Sequence, residues 1–196
     1  MTDSLWNQSL ASFREALGAD RPTPSCGAAS AVSASLGMAL ASMALRISDK
    51  REPHAGRETL IAQSGHLSEA LGRQADADAR AFERYLAEQG AKRDMAEPAT
   101  RGAVAVPLYT AWLCREGLRL TLAALPLCKP SLRCDVEAGA LLLHAALGAA
   151  LLNLDTHLDR LEPLARKRAA RVRRTLRRDA DAALAALRRA RRPLRA

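Results

Sequence analysis

Two long stretches without a charged residue constrain this fold more than any other feature of the chain. Residues 25–45 are 21 uncharged positions dominated by Ala, Ser and Gly, and residues 138–154 are 17 more, rich in Ala and Leu. Ala and Leu lead the helix-propensity ranking, whereas aromatic residues, which favour strands and fill large cores, make up only 3% of the chain. The core must therefore be built from closely packed small side chains. We predict an all-α fold.

The rest of the sequence divides into further helices by the spacing of its apolar residues and the positions of Pro and Gly. A length of 196 residues suits one domain, so we expect a single bundle of about six helices over residues 1–196. Pro107 falls inside the fourth helix and predicts a kink or a late start there. The expected helices are, approximately, 4–17, 25–48, 57–89, 99–125, 131–158 and 163–192.

The two uncharged stretches raise the alternative of membrane-spanning helices. A spanning helix needs about 20 mostly strongly apolar residues, and here Ser, Gly and Ala dilute the apolar positions. We therefore interpret both stretches as buried core helices, with no membrane span. Residues 1–10 are polar and acidic rather than apolar, so they do not indicate a signal peptide. Four cysteines without a C-x-x-C pair fit reduced thiols, and the expected localisation is cytoplasmic.

The positive charge is concentrated at the C-terminal end of the chain. Residues 163–196 contain 13 Lys and Arg against two Asp, a net charge of +11, while the whole chain carries +9. The preceding residues are therefore nearly neutral, at −2, which argues against nucleic-acid binding by the domain as a whole. We interpret the basic helix, about 163–192, as a solvated outer face. Contact with nucleic acid or with an acidic membrane surface is the alternative.

Two clusters of polar residues at candidate sites lie at a helix start and in a helix interior. Residues 23–28, Thr-Pro-Ser-Cys-Gly-Ala, begin the second helix, where free backbone N–H groups can hold an anion or a carbonyl oxygen and Gly27 permits close approach. Asp76 and Asp78 are two residues apart and so point to different sides of the third helix, whereas Asp78 and Phe82 share a face. An ordinary helix start and two solvated acids are the structural alternatives.

Two further clusters flank the fifth helix. Residues 129–135, Lys-Pro-Ser-Leu-Arg-Cys-Asp, lead into it, and Asp135 either caps the helix or acts as a site carboxylate. Asn153 and His157 lie four residues apart on one face near the end of the helix. Alone, they fit satisfied polar groups at the end of a bundle. The four histidines show no spacing with Cys or acidic residues that would suit a metal ion, so no metal site is expected.

In order and spacing, these clusters resemble the cyclodeaminase/cyclohydrolase family, which comprises the formiminotetrahydrofolate cyclodeaminase domain and the stand-alone methenyltetrahydrofolate cyclohydrolase. The similarity extends over about residues 4–187, and it rests on five motifs in register. They are the Pro24 turn with the Ala/Gly helix after it, the Asp-Ala-Asp-Ala-Arg-Ala-Phe segment at 76–82, the Ala-Val-Ala-Val-Pro-Leu stretch at 103–108, Cys134-Asp135 at a helix start, and Asn153 eighteen residues later.

The resemblance implies an all-α bundle that forms a homodimer, with a folate site near helix ends and no metal or redox cofactor. The substrate would be a tetrahydrofolate derivative. Asp135 is the first choice for the catalytic carboxylate, and Asp78 is the second. The residues expected to hold the folate are Pro24, Ser25, Cys26, Gly27, Lys129, Cys134, Asn153 and His157.

The chain departs from the family pattern at the expected site rather than in the scaffold. The triple-Gly turn is Ser-Cys-Gly at 25–27, and Lys129, Cys134 and His157 replace Asn, Ser and Asn. Because no formiminotransferase domain accompanies the helical domain in this sequence, we expect hydrolysis of 5,10-methenyltetrahydrofolate to formyltetrahydrofolate. The alternatives are formiminotetrahydrofolate cyclodeaminase, an ammonia lyase, and a catalytically impaired family member that binds folate.

Overall fold

The computed structural model describes the backbone of residues 4–88 and 93–191 and the side chains of residues 4–88 and 100–190. These residues form six α-helices and four short 3-10 segments, and they contain no strand. The all-α prediction with about six helices is therefore confirmed. The helices are α1 (Leu10–Leu17), α2 (Cys26–Arg51), α3 (Ala55–Ala87), α4 (Arg93–Ala124), α5 (Arg133–Asp155) and α6 (Pro163–Arg191).

Helices α2 to α5 form a four-helix bundle. α2 packs against α3 and α5, and α4 packs against the same two helices, so that the four are arranged in a ring. Helix α6 lies against α4 and α5 and covers that pair. One continuous core of Leu, Ala, Met and Val side chains fills the space between these helices.

Small residues bring α2 very close to α5, as the sequence predicts. A Cβ atom built on Gly37 would lie 2.7 Å from the carbonyl oxygen of Gly139, so the two backbones touch at this crossing. On α4, a Cβ atom at Gly117 would lie 2.8 Å from Leu143 and 2.9 Å from Met38. The bundle therefore reaches a dense core by close backbone approach instead of by large aromatic rings.

Two helical stretches, residues 26–51 and 130–160, have the length and composition of a membrane span. The mean hydropathy of their most apolar windows is 1.6 and 1.5, and 61% and 44% of those windows are buried inside the protein. Core helices pass the same test, so these features are only weak indications of a membrane span. Both helices contribute many side chains to the core of the bundle, which fits their interpretation as core helices.

Two helix boundaries differ from the sequence prediction. Helix α4 begins at Arg93 and continues through Pro107, so the late start is wrong and the alternative, a kink at Pro107, stays a prediction. A proline removes one backbone N–H donor, and a long helix packed on both α3 and α5 tolerates that single loss. At the N-terminus, Leu5–Asn7 form a separate 3-10 turn before α1. The predicted helix ends at residues 89 and 192 lie outside the described residues.

Candidate functional site

The centre of the candidate site is the start of α2, where Asp78 of α3 meets the first helical turn. Ser25 occupies the N-cap position, and its side chain makes no capping hydrogen bond. The first N–H groups of a helix have no partner within the helix, so they are available to an acceptor from elsewhere. A Cβ atom at Gly27 would lie 2.5 Å from Asp78 Oδ2. Glycine at this position therefore leaves the room that the carboxylate occupies.

Three donors hold the Asp78 carboxylate. Asn153 Nδ2 donates to Oδ1 over 3.0 Å, and the Ser25 hydroxyl donates to Oδ2 over 3.5 Å. The third donor is the backbone N–H of Ala28. Asp78 is only 5% exposed, and this burial raises its pKa by more than the three hydrogen bonds lower it. The carboxyl therefore keeps its proton to a higher pH than an ordinary aspartate does, which suits a general acid.

Asp76, two residues earlier, holds the N-terminal segment against α3 by hydrogen bonds. Its carboxylate accepts the Ser4 hydroxyl at 2.7 Å and the Leu5 N–H at 2.8 Å. In the same segment, Trp6 Nε1–H donates to the Gly72 carbonyl over 2.9 Å. The prediction that the two aspartates of this motif face different sides of the helix is confirmed. The alternative of two solvated acids is wrong, because each carboxylate is bound to another part of the chain.

His157 belongs to an aromatic cluster one turn away from Asn153. Its ring lies edge-on to Tyr85, with centroids 4.9 Å apart, and to Phe82 at 6.4 Å. Arg160 lies over the Tyr85 ring at 5.0 Å. His157 is 4% exposed, and its burial, followed by the charge of Arg160, lowers its pKa. The lowered pKa favours the neutral form of the His157 ring. Its buried Nδ1 has no hydrogen-bond partner among the described residues.

Tyr85 and Arg160 are site residues that the sequence reasoning missed. A usable signal existed for Tyr85, because Asp78, Phe82 and Tyr85 have the i, i+4, i+7 spacing of one helical face. No comparable signal existed for Arg160. It lies in the 3-10 segment after α5, and only the tertiary fold brings its guanidinium to the Tyr85 ring.

Cys26 lies close to the Asp78 carboxylate at the start of α2, whereas Pro24 faces a cavity on the Asp76 side of α3. Partial burial, followed by the negative charge of Asp78, raises the pKa of the Cys26 thiol, so it stays protonated and is a poor nucleophile. Pro24 lines a neighbouring cavity of about 270 Å³ together with Arg21 and Thr23. The α3 residues that line this cavity are those on the face of Asp76, so the cavity is separate from the Asp78 cluster.

The other three predicted site residues lie at the opposite end of the bundle. The backbone N–H of Lys129 donates to the hydroxyl of Ser48, close to the end of α2, over 3.0 Å. Cys134 Sγ lies 3.8 Å from Asp135 Oδ2, at the beginning of α5. Asp135 and Asn153 are eighteen residues apart on this helix, or about 27 Å at 1.5 Å per residue. Within one chain, Asp135 therefore lies far from the cluster at the start of α2.

The residues that meet at the start of α2 form a buried polar cluster around the Asp78 carboxylate in an all-helical protein. They supply a carboxyl whose pKa is raised by burial, an amide that orients it and an imidazole whose pKa is lowered by burial, a combination that suits proton transfer to a small molecule. Among the described residues, no group of three or more His, Cys, Asp or Glu side chains could hold a metal ion.

Comparison with known proteins identifies the family. The formiminotransferase-cyclodeaminase family model matches residues 9–178, so the chain belongs to this family, which acts in folate metabolism. The structure is similar to the crystal structure of formiminotetrahydrofolate cyclodeaminase from Thermotoga maritima at 2.80 Å resolution, with a TM-score of 0.89 and 18% identity over 94% of this chain and 96% of that one. At this identity, the likeness shows the fold. No curated protein matches the sequence.

Proposed function

We propose that this chain is a formiminotetrahydrofolate cyclodeaminase in which Asp78 is the general acid. The observation that carries the proposal is the buried Asp78 carboxyl at the start of α2, whose pKa is raised by burial. The cyclodeaminase reaction expels ammonia and needs a proton donor. Hydrolysis of methenyltetrahydrofolate, the reaction expected from the sequence, needs instead a base that activates or orients water. A buried carboxyl whose pKa is raised is a better proton donor than an ordinary aspartate, and this supports the cyclodeaminase.

A protonated Asp78 accounts for each proton in this reaction. It first gives its proton to the formimino nitrogen, and folate N10 attacks the activated carbon to form a tetrahedral adduct. The Asp78 carboxylate takes the proton released from N10 and passes it to the amino group. Ammonia leaves with the electron pair of its C–N bond, and the 5,10-methenyl cation forms opposite the carboxylate, which stabilises its charge. One proton from solvent then restores Asp78 and balances the reaction.

The groups around Asp78 support this role. Asn153 holds one carboxyl oxygen at 3.0 Å, and Ser25 contacts the other at the longer distance of 3.5 Å. We propose that the flat pterin ring packs near the rings of Phe82 and His157, where an aromatic ligand gains stacking contacts. Residues 25–27 at the start of α2 would then surround the one-carbon unit, with their N–H groups facing its polar atoms.

A homodimer would bring the two separated groups of expected site residues together. Helices α2 and α5 pack side by side and carry apolar side chains that are between 37% and 65% exposed: Leu36, Met43, Ile47, Leu141, Leu142 and Leu152. We propose that a twofold axis through this face pairs two copies with their helices antiparallel. The Lys129, Cys134 and Asp135 end of one copy would then adjoin the Asp78 cluster of the other, where Lys129 could attract the glutamate carboxylate of the folate.

The test is to add 5-formiminotetrahydrofolate to the purified chain and to follow methenyl absorbance and free ammonia together. We expect both products to form at the same rate. Accelerated loss of 5,10-methenyltetrahydrofolate without ammonia would instead support the second candidate, the cyclohydrolase, whose substrate is the species that the cyclodeaminase produces. Saturable binding of tetrahydrofolate with turnover in neither assay would support an impaired, folate-binding family member. The cytoplasmic localisation stays a prediction.

A further inference from the structure

Helix α6 is fixed on the bundle by one narrow apolar stripe, so its basic face has a defined direction. The stripe has the spacing of a single helical face, and it packs on the pair formed by α4 and α5. Its buried members are Ala169, Leu176, Ala180, Leu184 and Leu187. A bidentate ion pair between Arg173 and Asp155, with both N–O distances at 2.6 Å, adds a further attachment to α5. The opposite face of α6 therefore points to solvent.

Four cations form a row along that solvent-facing side. The row consists of Lys167, Arg171, Arg174 and Arg178, at intervals of four, three and four residues, and all four are exposed. Residues at these intervals are neighbours on a helix surface. At 1.5 Å per residue, the row is about 17 Å long. It therefore presents a straight, closely spaced line of positive charge.

The acidic residues around α6 do not neutralise this row. Of the aspartates, three pair outside the row, in the contacts Asp155–Arg173, Asp159–Arg166 and Asp181–His144. Asp179 pairs with Arg115 and also with Arg178. Of the row, only Arg178 takes part in these pairs. Within the described part of the chain, Lys167, Arg171 and Arg174 have no ion pair. Like charges held this close repel one another, and an extended anion would relieve that repulsion.

We infer that this row binds the phosphate backbone of double-stranded nucleic acid without reading its sequence. Each phosphate of one strand advances about 3.4 Å along the duplex axis, so the row is as long as about five phosphates. Arginine suits this partner because its guanidinium can bond a phosphate through two parallel N–H groups. Phosphate contacts of this kind position a protein on a duplex and carry no base specificity.

Two other polyanionic partners fit the same face less well. A helix that binds a membrane surface inserts its apolar side into the lipid, but the apolar stripe of α6 is already buried against α4 and α5. Single-stranded nucleic acid is held largely by stacking of its bases on aromatic side chains, and residues 163–191 contain no aromatic residue. The exposed face of α6 therefore fits a duplex backbone best.

The experiment measures fluorescence anisotropy of labelled DNA and RNA duplexes of about 20 base pairs against the full chain, from about 50 to about 200 mM KCl. For four neutralised phosphates, log Kobs should fall with log salt with a slope of about −3.6. The triple variant Lys167→Gln/Arg171→Gln/Arg174→Gln should reduce the slope to about −0.9. We also expect it to weaken binding by more than about tenfold at low salt. Binding of either duplex supports the inference, and the comparison shows which backbone is preferred.

A matched control removes three charges elsewhere. Arg14→Gln/Arg51→Gln/Arg73→Gln changes exposed side chains away from α6 and should keep the slope of the unmodified chain. Circular dichroism checks that both triple variants remain helical. Equal weakening in both variants would assign the binding to net charge and overturn the inference. It would equally be overturned if neither duplex bound saturably at low salt, or if phosphatidylserine-rich vesicles bound more tightly than the duplexes.

Discussion

Each end of the bundle has an aspartate at the start of a helix, but only one of them is buried in a cluster within one chain. Asp78 comes from α3 to the start of α2, is 5% exposed and is held by Asn153 and Ser25. Asp135 belongs to the first turn of α5, is partly exposed and lies 3.8 Å from the Cys134 thiol. A carboxylate in the first turn of its own helix interacts favourably with the helix dipole while staying near solvent. The Asp78 carboxyl is buried because it reaches the start of α2 from a second helix, and this burial raises its pKa.

The largest expected effect is that of Asp78→Asn, which removes the proton donor with little change in shape. Loss of a general acid should lower kcat for methenyl formation from the formimino substrate by about a hundredfold to ten-thousandfold. The matched control is Asp76→Asn, which alters the attachment of the N-terminal segment and should keep most of kcat. If the Asp78→Asn variant were as active as the unmodified chain, Asp78 would not be the general acid.

Gly27→Ala should disturb the Asp78 cluster at the start of α2 through a steric clash. The new Cβ would press on the Asp78 carboxylate, which has no room to retreat among its buried partners. We expect a loss of about 1–3 kcal/mol in the free energy of unfolding, together with a fall in kcat. Gly65→Ala is the control, because nothing lies within 4 Å of its Cβ position in α3, and it should stabilise by up to about 1 kcal/mol. Urea titration measures the free energy of unfolding of both variants. Equal values for Gly27→Ala and Gly65→Ala would contradict the close contact between Gly27 and Asp78.

Asp135→Asn should have a smaller effect, on binding rather than on proton transfer. Removing one charge-assisted contact to the ligand should raise KM by about tenfold with little change in kcat. Mixing these chains with Asp78→Asn chains tests whether the two ends meet across a dimer. Each mixed dimer would then contain one intact site, so the mixture should show about a quarter of the unmodified rate at low substrate. A rate of about one twentieth would indicate that the sites lie within single chains.

The smallest expected effect is on the pH dependence of stability. Because burial raises the Asp78 pKa, the folded chain binds this proton more tightly than the unfolded chain does. The stability contributed by Asp78 is present below the ordinary aspartate pKa and is lost as pH rises through the raised value. The unmodified chain should therefore lose stability relative to Asp78→Asn across that window, by about 1.4 kcal/mol per unit of pKa difference. Urea titrations at several pH values give the free energy of unfolding of both proteins. If these two free energies changed with pH in the same way, the raised pKa of the buried Asp78 carboxyl would be contradicted.

The sequence predicts the fold better than the site because the two depend on contacts of different range. The uncharged stretches that contain Gly37 and Gly139 predict helices that pack closely, and the structure confirms that packing. The meeting of Gly27 with Asp78 joins residues 51 positions apart, and no local pattern encodes it. An acid inside a helix looks solvated from its neighbours alone, which is why Asp78 ranks second to Asp135 in the sequence analysis. The catalytic role of Asp135 stays a prediction.

An NMR titration of the Asp78 carboxyl carbon in the full chain tests whether Asp78 is the buried acid of this site. The resonance is identified by its disappearance in Asp78→Asn. Our account predicts that it titrates above the ordinary range for aspartate and that it moves when tetrahydrofolate is added. A carboxyl that titrates at the ordinary aspartate value and does not respond to saturating tetrahydrofolate would contradict the assignment of Asp78 as the acid of this site.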